Sequence, residues 1–216
     1  MPFLTIAIYR HIISIWQFFS QFRLGDALQL QNGHYCRHLI LVVAFEILGL
    51  TVAHAQSADT AERQIKAAFL YKFCFYVEWP SGTFSTADSP LIFGVAGDEA
   101  QKKELEQVIK SRTINGRSLE VRRVDANTSL QGLHLLFVAQ SEQSNISRLL
   151  SIAPTQPLLV VTESSGGLDG GSSINFVQQD DRVRFDINLK PMELRGLHIS
   201  AQLLKVARKI HGDSVP

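Results

Sequence analysis

The sequence predicts an α/β domain: a mixed sheet with a parallel βαβ core and a C-terminal β-hairpin, with helices on both faces. Three observations predict it. Continuous apolar runs at Leu91–Ala96, 133–139 and 158–162 have the length and the Gly/Pro boundaries of strands buried on both faces. Segments of helical period separate them, the pattern of βαβ units around a parallel sheet. Two alternating segments around the polar Gln179-Asp180-Asp181 then read as a hairpin, which adds antiparallel strands.

In chain order, 60–79 reads as a helix. Ile65, Ala68, Phe69, Phe73 and Tyr76 fall at helical spacing, and Leu70, Cys74 and Val77 form a second apolar line. Apolar residues on most sides imply burial against a sheet or a partner subunit. Pro80 and Ser81-Gly82 end this helix. After the strand at Leu91–Ala96, Asp98 and Gln101 form a capping box for a helix running to about Lys110 on Leu105, Val108 and Ile109. The Asn115-Gly116 turn leads to a strand over Leu119–Val124. The run 133–139 is the next strand, and Ser141 caps a helix on Ile146, Leu149 and Leu150. Pro154 and Pro157 precede the strand at 158–162.

The glycine pairs Gly166-Gly167 and Gly170-Gly171 then read as a tight loop. In the hairpin, Ile174 and Phe176 share one face. Val183, Phe185, Ile187 and Leu189 share another, opposite Arg182, Arg184, Asp186 and Asn188. A closing helix over 197–210 carries Leu203, Ala207 and Ile210 on one side.

Residues 1–55 read as a leader and signal peptide. Arg37 and His38 precede an apolar run at 39–52, and Ala53-His54-Ala55 supplies an A-x-A cleavage site before Gln56. The run is shorter than the roughly 20 residues that span a bilayer. Export with cleavage after Ala55 is therefore expected, and residues 1–36 are read as preceding the true start. Residues 56–216 are then one domain, large enough for a real core. Three of the 21 basic and two of the 20 acidic residues fall in the first 55, so the remainder is charge-balanced. A duplex-binding surface usually shows a basic excess, so nucleic acid is not an expected partner.

Motifs for phosphate loops, zinc proteases and serine hydrolases are missing from the sequence. Only His134, His198 and His211 remain after export, far apart in sequence, so no metal or other cofactor is expected. Cys36 lies in the leader, which leaves Cys74 as a buried thiol in an apolar helix. Asp98 follows a buried strand, where α/β sheets bind ligands, but helix capping accounts for it. The glycine loop has the composition of an anion cradle, though turning the chain is its simpler use. The polar face of the last strand suits internal pairing, a partner contact or a small anionic ligand, in that order. From these patterns the candidate ligand- or partner-binding residues are Gly170, Gly171, Asn175, Arg184, Asn188, Trp79 and Arg117.

GGSSINF, RFDINL and GLHISAQLLKVARKI resemble the closing signature of the YfiR-like family, whose pattern is roughly GGMINF, FEIN and an LKISSKLLKLA helix. IKAAFLYKFCFYVEWP resembles its opening helix, and LIFGVAGDE and LHLLFVAQSE match between them. The similarity covers about 150 residues, nearly all of the expected mature chain. It implies a periplasmic, non-enzymatic protein that dimerises and represses a membrane-bound diguanylate cyclase by contacting its periplasmic region. That would lower cyclic di-GMP signalling and biofilm formation, with release when an outer-membrane lipoprotein sequesters the repressor. Family disulfides do not carry over: this chain has Leu133 where relatives often have cysteine. Two rival readings are a small-molecule binding module feeding a sensor kinase or transporter, and a hydrolase whose Ser172 or Ser173 meets a distant histidine.

Overall fold

The computed structural model describes residues 58–125, 127–145, 148 and 156–212. These belong to one compact unit, Ser57–Pro216. The expected leader, with Ala53 and Ala55, and the expected helix around Ile146, Leu149 and Leu150 lie outside the described residues.

Residues 58–76 form helix α1, which runs into the two-residue strand β1 (Val77–Glu78). Then follow β2 (Leu91–Ala96), α2 (Glu99–Ile109), β3 (Leu119–Val124), β4 (Leu135–Val138), a 3-10 turn (Gln140–Asn145) and β5 (Leu159–Thr162). The chain closes with β6 (Ile174–Gln179), β7 (Arg182–Asn188), α3 (Leu189–Leu194), β8 (His198–Ile199), α4 (Ala201–Leu204) and β9 (Lys209–His211).

Among the described residues, seven strands form one mixed sheet in the order β3-β2-β4-β5-β6-β7-β9. All neighbours are parallel except the β6–β7 hairpin. This is the architecture the alternating strand and helix patterns call for. Asp180 and Asp181 make the hairpin turn with φ of 51° and 55°, matching a two-residue turn to the twist of its strands. The chain leaves β2 to one side for β3 and returns to the other side for β4, so the winding direction reverses between β2 and β4.

Period two sorts the strand side chains onto two faces. Phe93, Val95, Leu135, Phe137, Leu159, Val161, Phe176 and Phe185 meet Leu70, Phe73 and Cys74 of α1, Leu105 of α2, Met192 of α3 and Leu203 of α4. Ile92, Ala96, Leu136, Val138 and Val160 point the other way, onto Leu130, Leu133 and Leu158. Phe73 sits at the centre of the first face. Its ring lies 4.9 Å from Phe185, 5.7 Å from Phe176 and 5.8 Å from Phe69.

Three expectations need correction. The closing stretch is not a helix over 197–210. Gly196 turns with φ of 68°, His198–Ile199 pair antiparallel with β1, and only Ala201–Leu204 are helical. Lys209–His211 then extend along β7, whose outer edge offers a ladder of backbone partners that a helix would leave unpaired. Bonds from the Arg208 guanidinium to both Asp186 carboxylate oxygens pin this strand in place. Second, Ser141 lies inside a 3-10 turn, where its hydroxyl donates to Gly97 O at 3.0 Å. Third, the capping box at α2 is half made. Asp98 Oδ1 accepts from Gln101 N at 2.9 Å, but the Gln101 amide donates to Arg63 O in α1 instead.

Candidate functional site

The candidate residues do not gather in one place. Their first group surrounds the glycine loop between β5 and β6. Gly170 N donates to Gly166 O at 2.9 Å, Gly171 N to Leu168 O at 3.0 Å, and Ser172 N to Gly167 O at 3.2 Å. These N–H groups are consumed within the loop, so it turns the chain rather than presenting donors to an anion. Asn175 is buried on the sheet face opposite Phe73, where its Oδ1 accepts from Thr162 Oγ1 at 2.6 Å. Thr162 Oγ1 lies 3.0 Å from Ser172 Oγ, so Ser172 belongs to a buried polar trio with Thr162 and Asn175.

Beside this loop stands Arg195, a residue that sequence reasoning missed. It is 8% exposed and follows α3 directly. Its guanidinium reaches Ser173 Oγ and Gly171 O only at 3.5 Å, and its Nε is buried without a partner. Burial holds the guanidinium below its ordinary pKa, since the charge has lost water without gaining a close acceptor. Asn188 N donates to Ser173 O at 2.8 Å, which brings Asn188 to the same place, while its side chain caps α3 through Lys190 N. Gly171, Ser173, Asn188 and Arg195 thus converge. The buried Arg195 cation has only long contacts to these groups. In the sequence, a basic residue before a glycine reads as an ordinary helix-end cation, which hid its burial.

Arg184 lies elsewhere, exposed on the outward face of β7. On the same face, Asp186 is buried against Arg208.

Trp79 and Arg117 meet through two other rings. Arg117 Nη1 donates to the carbonyls of Thr86, Ala87 and Ser89 at 2.8–2.9 Å, and its guanidinium lies 3.8 Å from the Phe84 ring centroid. Phe84 stacks on His134 at 4.6 Å, and Trp79 meets His134 edge-on at 5.7 Å. Arg117 therefore ties down the loop between β1 and β2. His134 Nδ1 accepts from Ile92 N at 3.1 Å, which requires the unprotonated nitrogen. Burial, with Arg117 and Arg122 nearby, lowers its pKa from 6.5 to about 4. Neutral His134 is thus favoured by folding, and its contribution is complete above pH 6.5 and falls away as pH drops toward 4. Allowing for screening, the loss is expected to reach about 2 kcal/mol. Urea denaturation of the native chain and His134→Phe across that window checks this, because the variant should lose the slope even if its baseline stability is lower.

A crevice of about 310 Å³ opens at the carboxyl ends of the parallel strands, where the winding reverses. Asp98 lines it, as do Asp59, Glu62, Arg63, Lys66 and Glu163. Arg63 bridges Asp59 and Asp98, and Lys66 bridges Glu62 and Glu163. Burial opposes the Lys66 charge, but hydrogen bonds to Glu163 and Glu62 outweigh it and raise the pKa. These charges fasten the first turns of α1 to the sheet.

Cys74 is fully buried, and burial pushes its thiol pKa well above the ordinary value. It is expected to resist maleimide in the native chain and to react in urea; rapid native labelling would contradict the burial.

Among the described residues, no group of His, Cys, Asp and Glu is placed to hold a metal ion, and no helix is long and apolar enough to cross a membrane. Comparison with protein families matches residues 63–208 to the YfiR/HmsC-like family. That span runs from α1 through the hairpin to the start of the last strand. No curated protein matches the chain.

Proposed function

The chain belongs to the YfiR/HmsC-like family, whose members are periplasmic regulatory proteins, and we propose that it represses a membrane-bound diguanylate cyclase by binding its periplasmic region. The observation that carries this is the family match across nearly the whole described fold. Repression would work by differential affinity. Holding one state of the cyclase shifts its population only as far as the repressor binds that state better than the other. The exposed Arg184 on β7 and the outer face of α1 are the surfaces offered for this contact. Cyclic di-GMP, and biofilm formation with it, would fall. Sequestration by an outer-membrane lipoprotein would release the cyclase.

Pull-down of the exported protein against the periplasmic regions of its host's membrane diguanylate cyclases tests the contact. Capture of one region, weakened by Arg184→Glu, is the expected result. Failure to capture any region would remove the reading.

One observation favours a second reading, a periplasmic module that binds a small molecule: the buried Arg195 whose Nε has no partner, next to Gly171, Ser173 and Asn188. A small anionic ligand there would complete the hydrogen bonding of the guanidinium. Ligand-dependent thermal stabilisation that Arg195→Gln abolishes would support this reading. The hydrolase alternative gains nothing from the contacts of its serines: Ser172 is engaged by Thr162 and Ser173 by Arg195, while His134 bonds to Ile92 N.

A further inference from the structure

Strand β3 is an open edge of the sheet, with β2 as its neighbour on one side only. Leu91 N donates to Ser118 O at 2.9 Å, and a parallel ladder alternates from there, so Glu120 and Arg122 turn their backbone groups to β2. Leu119, Val121 and Arg123 turn theirs outward. Among the described residues, no other segment pairs with them. The strand holds register with β2 over all six residues and contains no proline, so neither a bulge nor a missing donor blunts it.

Along this edge, on the α2 side, lies a groove of about 490 Å³. Ile109 and the half-buried Leu119 and Val121 line its middle. Cations stand at both ends. Lys110 and Arg112 are exposed at the end of α2 and form no ion pair among the described residues; the Arg112 guanidinium rests over the Tyr71 ring at 5.2 Å. At the other end, Arg123 shares the face of Leu119 and Val121 and reaches Glu99 only at 3.6 Å. Glu106, the acidic residue at the rim, already pairs with Lys102 at 2.7 Å.

We propose that this edge takes an extended peptide whose apolar side chains are flanked by carboxylates, adding an eighth strand to the sheet. The outward groups of Leu119, Val121 and Arg123 hold the peptide's main chain, and the groove receives alternate apolar side chains. Lys110, Arg112 and Arg123 meet its carboxylates. Charge selects this occupant over a second copy of β3, which would bring Arg122 and Arg123 against their like across the new strand pair. The inference does not depend on the cyclase reading, whose Arg184 lies on β7, towards the far end of the sheet.

Fluorescence anisotropy of the native exported chain with three labelled, capped peptides tests it. The first alternates Val and Thr between terminal Glu residues. The second has Lys in place of Glu, and the third is the first N-methylated along its backbone. Saturable binding of the first is expected, with the other two each about tenfold weaker. Lys110→Glu combined with Arg112→Glu, both at exposed positions, should reverse the preference between the Glu and Lys peptides. Amide exchange then locates the peptide: Leu119, Val121 and Arg123 should slow most on binding, while Glu120 and Arg122, already bonded to β2, change least.

No binding of the first peptide would overturn the proposal. So would equal binding of the Glu and Lys peptides, undiminished binding of the N-methylated one, or protection that falls outside β3. Slowing of the same three amides when the chain's own concentration is raised without peptide would make the occupant a second copy, and would overturn it too.

Discussion

Phe73→Ala is expected to destabilise the fold by about 4 kcal/mol, the upper range for emptying an aromatic from a packed core. Phe73 is fully buried and touches rings from three directions: Phe69 on its own helix, Phe176 on β6 and Phe185 on β7. Phe176 and Phe185 sit on paired strands of the sheet, so the cavity cannot close by small shifts. Phe73→Leu should cost roughly half as much, because much of the volume is retained. Urea denaturation midpoints check both. A loss below about 1 kcal/mol for the alanine variant would mean that α1 does not cover the sheet as described.

The second large effect is expected from Gly167→Ala, at a residue whose φ is unremarkable. A Cβ there would lie 2.2 Å from Thr162 Oγ1 and 2.6 Å from Asn175 Oδ1. Both atoms are buried and hydrogen-bonded to each other, so relieving the clash breaks their bond or displaces the loop. The expected loss is about 3 kcal/mol. A double-mutant cycle with Thr162→Ser, which keeps the hydroxyl but removes a methyl, should show coupling of the two sites. Additive effects would show that the loop moves freely away from the strand.

The sequence shows the parallel core plainly because burial on both faces leaves a distinctive trace. Leu91–Ala96 coincides with a fully buried strand to the residue, while the half-exposed edge strand Leu119–Val124 is marked by the Asn115-Gly116 turn before it. The hairpin was equally legible, since its alternation and its Asp180-Asp181 turn agree. The closing stretch was not. Leu203, Ala207 and Ile210 fall at helical spacing, yet the open edge of β7 draws Lys209–His211 into the sheet and leaves Ile210 44% exposed. Local period cannot register a vacant edge formed by residues 23 positions earlier.

The candidate site was legible only in fragments. Gly171 and Asn188 both border Ser173, but Arg195, which reaches Gly171 O and Ser173 Oγ, carries no local mark of its burial. Trp79 and Arg117 are both engaged within the fold, Arg117 over the Phe84 ring, which stacks on His134, and Trp79 edge-on to His134. Helix α1 shows the converse. Its apolar residues on most sides pointed either to a sheet or to a partner subunit, and the fold divides them between a buried face and an exposed stripe.

The measurement that tests the central claim most directly is the cyclic di-GMP content of cells with and without the gene. Repression of a cyclase predicts that deletion raises it, that the native chain returned in trans restores it, and that Arg184→Glu restores it only weakly. A level that stays unchanged or falls on deletion would contradict the account.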